Sequence, residues 1–375
     1  MTGQLTLITL FALLLPTPSL LQADDLRERL KDANGIQTDL WVYNDIPSAM
    51  EEARRLNKPL FVTFRCVPCK DCAAFDADVA NGNDRVKALA KEKFVSVRQV
   101  EMKGVDLSLF QFDHDLNWAG MFINADGVVY ARYGTQSAEG SDAYNSIDGL
   151  INTMNRVLEL HADYPNNKQE LAGKRGTKPR STALEMPGLR NPAKYAQETT
   201  RSNCIHCHNI HDAEHQHALD TGTYSPEMLW KHHLPNTGTH VTIEGSESGI
   251  HDVALPAGWK QNDFSWRGSM WNAPPRLQVW LPEITGDALA KLGLPKTDSA
   301  LEARWINKEG RGGQQAYADG LREKDIIIAA AGEPIRMDSR QFQSHLKLKY
   351  KVGDQLPLTI LRDGKKMELK ITFVE

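Results

Sequence analysis

The sequence predicts a multidomain α/β chain, with an N-terminal α/β domain, a small, mostly helical and irregular middle segment, and a β-rich C-terminal domain. Three observations carry this expectation. Helical and strand periodicities alternate from about Asp24 to Tyr164. From Asn166 to Lys194 the periodicity gives way to Lys, Arg, Asn, Gly and Pro, the composition of a connector that is at least partly flexible. Beyond residue 281 short β-type runs return, with one helix and an Asp-Gly hairpin turn. A chain of 375 residues has room for about two or three separate cores. The divisions fall at 1–23, 24–164, 165–191, 192–280 and 281–375.

Residues 1–23 read as a leader. Leu5 to Leu15 is apolar, Pro16-Thr-Pro18 follows, and a polar start comes at Asp24. That stretch is too short to span a bilayer and reads as a secretory signal peptide cleaved near Ala23, although no Lys or Arg precedes its apolar core. The expected location is therefore periplasmic or secreted. No later segment is apolar enough for a transmembrane helix, so none is expected in the mature chain. A net charge of −4 with no basic run excludes nucleic acid as a partner.

In the first domain Asp45 caps a helix that has Pro47 in its first turn. Ile46, Ala49, Met50, Ala53 and Leu56 form the apolar stripe of that helix. Leu60-Phe-Val-Thr-Phe64 is a buried-type strand, and Cys66-Val-Pro-Cys69-Lys-Asp-Cys72 follows at once. Helix continues over Ala73 to Val79, and Phe94 to Val100 is a strand. Met121 to Asn124 and Val128 to Tyr133 pair around Ala125-Asp126-Gly127. The closing helix carries Ile147, Leu150, Ile151, Met154, Val157 and Leu158.

A strand, then a cysteine pair, then a helix resembles the thioredoxin fold, in which a helix N-terminus stabilises a thiolate. The resemblance implies a redox-active centre, and three cysteines allow two overlapping pairs. Cys66-Val-Pro-Cys69 has the internal proline and following lysine of thioredoxins. Cys69-Lys-Asp-Cys72 keeps the thioredoxin distance from the strand residue Phe64. This second option, slightly favoured, makes Cys69 the nucleophile and Cys72 the resolving thiol, with Cys66 just outside the turn. Cys69 belongs to both pairs. Trp118 stands where thioredoxins place a cis-proline, so a degenerate fold whose cysteines only bridge each other is a competing expectation. C-x2-C-x2-C also opens an iron–sulfur pattern, but the fourth cysteine is missing.

Cys204-Ile-His-Cys207-His208 in the middle segment is the C-x-x-C-H attachment signature of a c-type haem: two thiols for the vinyl groups and His208 to ligate the iron. The expected cofactor is a covalent haem c, as in a cytochrome c. Met228, His232, His233, His240 and Met270 are open choices for a second axial ligand. The alternative at the same motif is zinc, held by Cys204, Cys207, His211 and His215. Gly238 to Pro275 is an irregular connector with Trp259, Trp266 and Trp271, for which packing is the simplest account.

The last domain contains Leu292-Gly-Leu294, Ala300 to Ile306, Gln315 to Ile328, an Ala331-Gly-Glu-Pro334 turn and a helix over Ser339 to Leu348. A strand over Leu356 to Leu361 and the Arg362-Asp-Gly-Lys365 turn complete it. This order resembles a bacterial PDZ domain, with Lys324 where such domains have glycine before Asp325. The resemblance implies a groove that takes an extended peptide as an added strand, its C-terminal carboxylate held by the amides of Leu292, Gly293 and Leu294. Internal docking of the domain on its own chain is the competing expectation.

As a whole the chain resembles exported bacterial thioredoxin-like/PDZ multidomain proteins, some of which carry selenocysteine in the redox motif. The likeness rests on Phe64 to Cys72, Phe112-Asp-His-Asp-Leu-Asn-Trp118, Asp126-Gly with Tyr130 to Gly134, and Cys204 to His208. It implies a thiol–disulfide oxidoreductase or electron-transport protein whose haem passes electrons to an unidentified redox partner, while the PDZ domain recruits a protein or peptide. Thioredoxin-type pairs lie at about −270 to −120 mV and His/Met haems generally higher, so electrons would run from thiol to haem. The alternative is a periplasmic PDZ adaptor or redox sensor with a non-catalytic thioredoxin-like domain.

Overall fold

The structure is a computed structural model that describes residues 25–36, 40–70, 73–110, 118–134, 140, 143, 145–172, 182–229, 240–241, 251–252 and 273–374. The leader, Cys72, the segment 111–117, the axial candidates His232, His233 and Met270, and Trp259, Trp266 and Trp271 lie outside these residues. Among the described residues no helix is long and apolar enough to cross a membrane.

A short helix α1 (25–30) precedes strand β1 (Trp41–Tyr43), helix α2 (Ile46–Leu56) and strand β2 (Leu60–Arg65). Asp45 starts α2 by accepting the Ser48 backbone N–H through its side chain, and Asn57 in the left-handed region ends it. Helix α3 (Ala73–Ala77), a π turn at Asp78–Gly82, helix α4 (Asp84–Lys93) and strand β3 (Val95–Gln99) follow. Strands β4 (Trp118–Ile123) and β5 (Val129–Tyr133) form the expected hairpin. Its turn is tied by the Asn124 side chain, which accepts from Asp126 and Val128 N–H, and by Gly127 at φ 75°. Helix α5 (Ile147–Asp163) closes the domain.

These strands form one sheet in the order β1-β3-β2-β4-β5, with β1, β3 and β2 parallel and β4 and β5 antiparallel to their neighbours. β2, β3 and β4 are buried along their whole length; β2 and β4 are accordingly near-continuous apolar runs, while β3 carries the buried polar residues Ser96, Arg98 and Gln99. One face is covered by α4 and α5 through Val86, Ala90, Leu150, Met154 and Val157. Helix α2 covers part of the other face through Ala49 and Ala53. Its remainder is filled by Leu107, Leu109 and Phe110, and by Ala183, Leu189, Ile205, Ile210 and Ala213 from much later in the chain.

Those later residues show that the last part of the connector is packed against the sheet. Residues 182–195 include a 3-10 turn (Ala183–Glu185) and helix α6 (Pro192–Tyr195), and Ala183 is fully buried in the sheet-facing core. Leu184 N–H donates to the Lys103 carbonyl, and Thr182 bridges Asp106. The middle segment continues as helix α7 (Cys207–Asp220), a 3-10 turn (Pro226–Leu229) and the short strand pair β6 (His240–Val241) and β7 (His251–Asp252).

The C-terminal domain contains strands β8 (Val279–Trp280) and β9 (Glu283–Ile284), helix α8 (Asp287–Lys291), strands β10 (Ala300–Glu302) and β11 (Trp305–Ile306), and helix α9 (Arg311–Ala318). Strands β12 (Ile326–Ala330) and β13 (Glu333–Pro334), helix α10 (Ser339–Lys349), and strands β14 (Gln355–Arg362) and β15 (Lys365–Thr372) complete it. The main sheet runs β15-β14-β12-β10-β9, and among the described residues β8 pairs with β11 alone. A separate core of Leu301, Ile327, Phe342, Leu346, Leu358 and Ile360 makes it an independent apolar unit. The domain is β-rich, as expected. Asp363 (φ 49°) and Gly364 (φ 77°) form the hairpin turn with both central residues in the left-handed region.

Candidate functional site

β2 ends at Arg65 in the middle of the sheet, and the chain leaves it at Cys66. Pro68 lies inside a tight turn in which Cys69 N–H donates to the Cys66 carbonyl at 3.1 Å. This turn sets the Cys66 and Cys69 Cα atoms 5.4 Å apart, and the two residues form a disulfide. The slightly favoured Cys69/Cys72 pairing is thus not the one formed. The physical reason is the turn itself, reinforced by the buried Arg65 guanidinium, which donates to the Cys69 carbonyl at 2.5 Å.

Arg65 is anchored in turn. Its Nε lies 3.5 Å from Asp76, which also receives Arg98 at 2.8 Å, and Arg98 reaches Asp32 at 2.8 Å. All four side chains are nearly inaccessible. The carboxylates hold Arg98 charged despite its burial, and despite its own burial Asp32 lies below the usual carboxylate range because Arg98 and Tyr43 donate to it. The network fixes α1, β2, α3 and β3 relative to the cysteine turn.

The residue that completes the site comes from the other motif. His206 Nδ1 lies 3.9 Å from Cys69 Sγ, although 137 residues separate them. His206 is the N-cap of α7, and Asn209 Oδ1 accepts its backbone N–H at 3.0 Å. The His206 and His208 rings stack at 5.2 Å and 7°. Burial, and secondarily the His208 ring, push His206 down to about 4, so it is neutral at physiological pH. Neutral Nδ1 at this distance can accept a hydrogen bond from the Cys69 thiol once the disulfide is reduced.

α7 is held in place by contacts on both sides of the motif. Ile205, Ile210 and Ala213 enter the sheet-facing core. A Cβ on Gly188 would lie 2.0 Å from the Ala213 carbonyl oxygen, so this glycine permits contact between the connector backbone and the helix. Arg201 donates to the Leu30 carbonyl at 2.6 Å, Lys103 donates to the Gln197 carbonyl at 2.8 Å, and Thr199 donates to Glu101.

Of the haem-motif residues, Cys204 is buried among Leu26, Leu30, Tyr43 and Val100, and its thiol donates to the Thr200 carbonyl at 3.0 Å. Burial, with Glu101 nearby, pushes this thiol up to about 11. As packed, these residues do not fit a haem: a thioether at Cys204 requires the apolar nest to open. Cys207 begins α7, but its side chain lies outside the described residues. The alternative zinc set does not gather either. Among the described residues the one cluster with ligand atoms close enough for a metal is Cys66, Cys69 and His206, within 4.8 Å of one another, while Cys204, His211 and His215 form no such group. Spacing along the sequence marked both motifs but gave no sign that they meet.

In the C-terminal domain a cavity of about 580 Å³ lies between β8 and α10. Its lining includes Arg276, Gln278, Trp280, Trp305, Ser344 and Lys347. Leu292, Gly293 and Leu294 follow α8 and do not line it. Lys347 is 4% exposed and is pushed down to about 8 by burial and by Arg276. Neither cation is paired with a carboxylate among the described residues. Trp280 and Trp305 stand half exposed at the rim.

A thioredoxin-like family model matches residues 41–125, which contain β1 to β4 and the Cys66–Cys69 turn. A probable periplasmic DegP-like serine endoprotease of Pseudomonas savastanoi pv. phaseolicola is 33% identical over 96 residues, 26% of this chain and 19% of that protein. The chain therefore spans about a fifth of the length of that curated relative. Among solved structures, an HtrA-type protease AlgW with a decapeptide matches 34% of this chain and 39% of its own, at 20% identity and a TM-score of 0.22. The serine endoprotease from Yersinia pestis matches 36% of this chain and 41% of its own, at 15% identity and a TM-score of 0.18. The N-terminal domain is thioredoxin-like, and the chain shares distant similarity with proteases of the DegP/HtrA type.

Proposed function

We propose that the protein is an exported thiol–disulfide redox protein whose PDZ-like domain holds an extended peptide or protein segment. The observation that carries the redox reading is the Cys66–Cys69 disulfide at the end of a central strand, facing a neutral histidine. A thiolate of the substrate attacks one sulfur and breaks the bond, giving a mixed disulfide. A second substrate thiol then displaces the mixed disulfide. The substrate dithiol loses two electrons and two protons, and Cys66 and Cys69 gain them. His206 exchanges the proton at Cys69, and Arg65, held by Asp76, positions the turn without itself reacting. The leader-like residues 1–23 support export, where such a disulfide persists.

The groove between β8 and α10 supports the second half. Among the described residues β8 pairs with β11 alone, an arrangement that suits an added strand on its other edge, and Arg276 with Lys347 suits the carboxylate that ends a peptide. A haem on Cys204 and Cys207 is a competing use of the C-x-x-C-H segment and requires Cys204 to leave its nest.

The test is a redox titration of the purified full chain in dithiothreitol buffers, with trapping by maleimide and peptide mapping. The expected result is one two-electron couple at Cys66 and Cys69, and in Cys69→Ser treated with oxidised glutathione a glutathione mixed disulfide accumulating on Cys66, with one glutathione thiol released per bond formed. A bond that resists reduction below about −300 mV is purely structural and would leave the adaptor reading.

A further inference from the structure

We propose that reduced Cys66 and Cys69, together with His206, form a binding site for a thiophilic d10 cation, Zn2+ or Cu+. The site rests on the redox reading only in that the disulfide must be reducible. The donor set comes from two separate stretches of the chain, C-x-x-C after β2 and the histidine that caps α7. Their ligand atoms lie within 4.8 Å of one another.

The geometry needs little adjustment. Zinc–sulfur and zinc–nitrogen bonds of about 2.3 and 2.0 Å place neighbouring ligand atoms about 3.5–3.8 Å apart. The Cys69 Sγ to His206 Nδ1 separation is 3.9 Å. Once the sulfur–sulfur bond is broken, the two sulfurs separate towards contact distance, which is also the spacing that a shared cation requires. His206 does not have to be recruited. Asn209 holds its backbone, His208 stacks on its ring, and α7 is packed on the sheet through Ile205, Ile210 and Ala213.

The donor chemistry selects the ion. Two thiolates and one imidazole are soft to borderline ligands, suited to Cu+ and Zn2+ and not to Mg2+ or Ca2+. The fixed cation beside the turn, Arg65, is already balanced by Asp76. Three protein donors leave one position of a tetrahedron open, or complete a trigonal Cu+ site.

Binding is governed by the redox state. Two electrons and two protons convert the disulfide to two thiols. The cation displaces both protons and forms two metal–sulfur bonds. Loss of two electrons from the thiolates to a substrate disulfide restores the Cys66–Cys69 bond and expels the cation with its charge unchanged. The ion would therefore be held only while the pair is reduced.

The experiment uses the full chain reduced with a phosphine, so it does not depend on any physiological reductant. Zn2+ is titrated against a chromophoric chelator, and Cu+ against bicinchoninate. One equivalent is expected in the reduced protein and none after oxidation with diamide. His206→Ala should weaken binding by at least about tenfold, since even outer-shell changes cost that much. Cys69→Ser should abolish it, and Cys204→Ser should leave it unchanged. The His206→Ala protein must keep the near-UV circular dichroism and the cooperative urea unfolding of the parent chain, which establishes that it folds. The proposal is overturned by three outcomes: absence of binding, binding that persists in His206→Ala but is lost in Cys72→Ser, or binding that follows Cys204 and Cys207. A chain that binds metal but shows no disulfide exchange would overturn the redox function and leave the site standing.

Discussion

At the residue scale, two lysines stand where the fold does not favour them. Lys324 has φ 75°, a conformation that costs a non-glycine residue about 1–2 kcal/mol, and it occupies the place where the PDZ resemblance has glycine. Its N–H donates to the Ala303 carbonyl at 2.8 Å, which holds it there, next to Asp325 and its ion pair with Arg362. Lys324→Gly should therefore stabilise the C-terminal domain by about 1 kcal/mol after the entropic cost of glycine, read as a higher urea midpoint at unchanged slope. Lys347 is a different case, because it is buried in the lining of the cavity between β8 and α10. With its ammonium pushed down to about 8, it is charged below that pH and neutral above it. Peptide binding that depends on this charge should weaken by about tenfold between pH 7 and 9, a loss seen as pH rises. Fluorescence titration with a carboxylate-ended peptide against its amidated form checks this, since Trp280 and Trp305 stand at the rim. A flat profile, or Lys347→Met retaining the pH dependence, would remove Lys347 from the site.

At the element scale, α7 is the piece on which the candidate site depends. Its closest approach is at Gly188, where a methyl group would meet the Ala213 carbonyl at 2.0 Å and the His217 backbone nitrogen at 2.6 Å. Backbone atoms in a packed helix cannot yield as a flexible side chain would, so Gly188→Ala should destabilise the docked segment by about 1–3 kcal/mol. The measurement is hydrogen exchange along α7: faster exchange there, with β2 and β3 still protected, locates the damage in the docking. Unchanged protection would mean that the segment is not held through this contact. The same element explains what the sequence could and could not reveal. The β2 strand, the Asp45 cap and the Asp126-Gly127 and Asp363-Gly364 turns are local patterns and were legible from neighbouring residues. The meeting of Cys69 and His206 was not, because nothing local in Cys66 to Cys72 refers to a helix cap 137 residues away. The choice between overlapping cysteine pairs was equally hidden, since it depends on the Pro68 turn and on Arg65 rather than on spacing. The cavity between β8 and α10 was not legible either, because its lining comes from separate stretches of the chain and Leu292 to Leu294 lie outside it.

At the scale of the whole molecule, the middle segment has two incompatible uses, and Cys204 decides between them. Docked, its thiol lies under Leu26, Leu30, Tyr43 and Val100 with its ionisation pushed up to about 11. Carrying a haem, it is a thioether outside that nest, and α1 loses a wall of its core. Maleimide reacts with the thiolate, so the shift from an ordinary value of 9.0 lowers the reactive fraction at neutral pH on the order of a hundredfold, before burial is counted. Peptide mapping after labelling of the full chain, native and in urea, separates the cases. The docked form predicts slow native labelling at Cys204 that becomes fast on unfolding. Rapid native labelling would show the segment undocked and remove His206 from Cys69. A Cys204 that stays unlabelled in urea, in a protein with a pyridine haemochrome spectrum, would establish the haem and with it a rearranged middle segment. Because the docking that protects Cys204 also delivers His206, one labelling experiment tests the site and the fold that carries it.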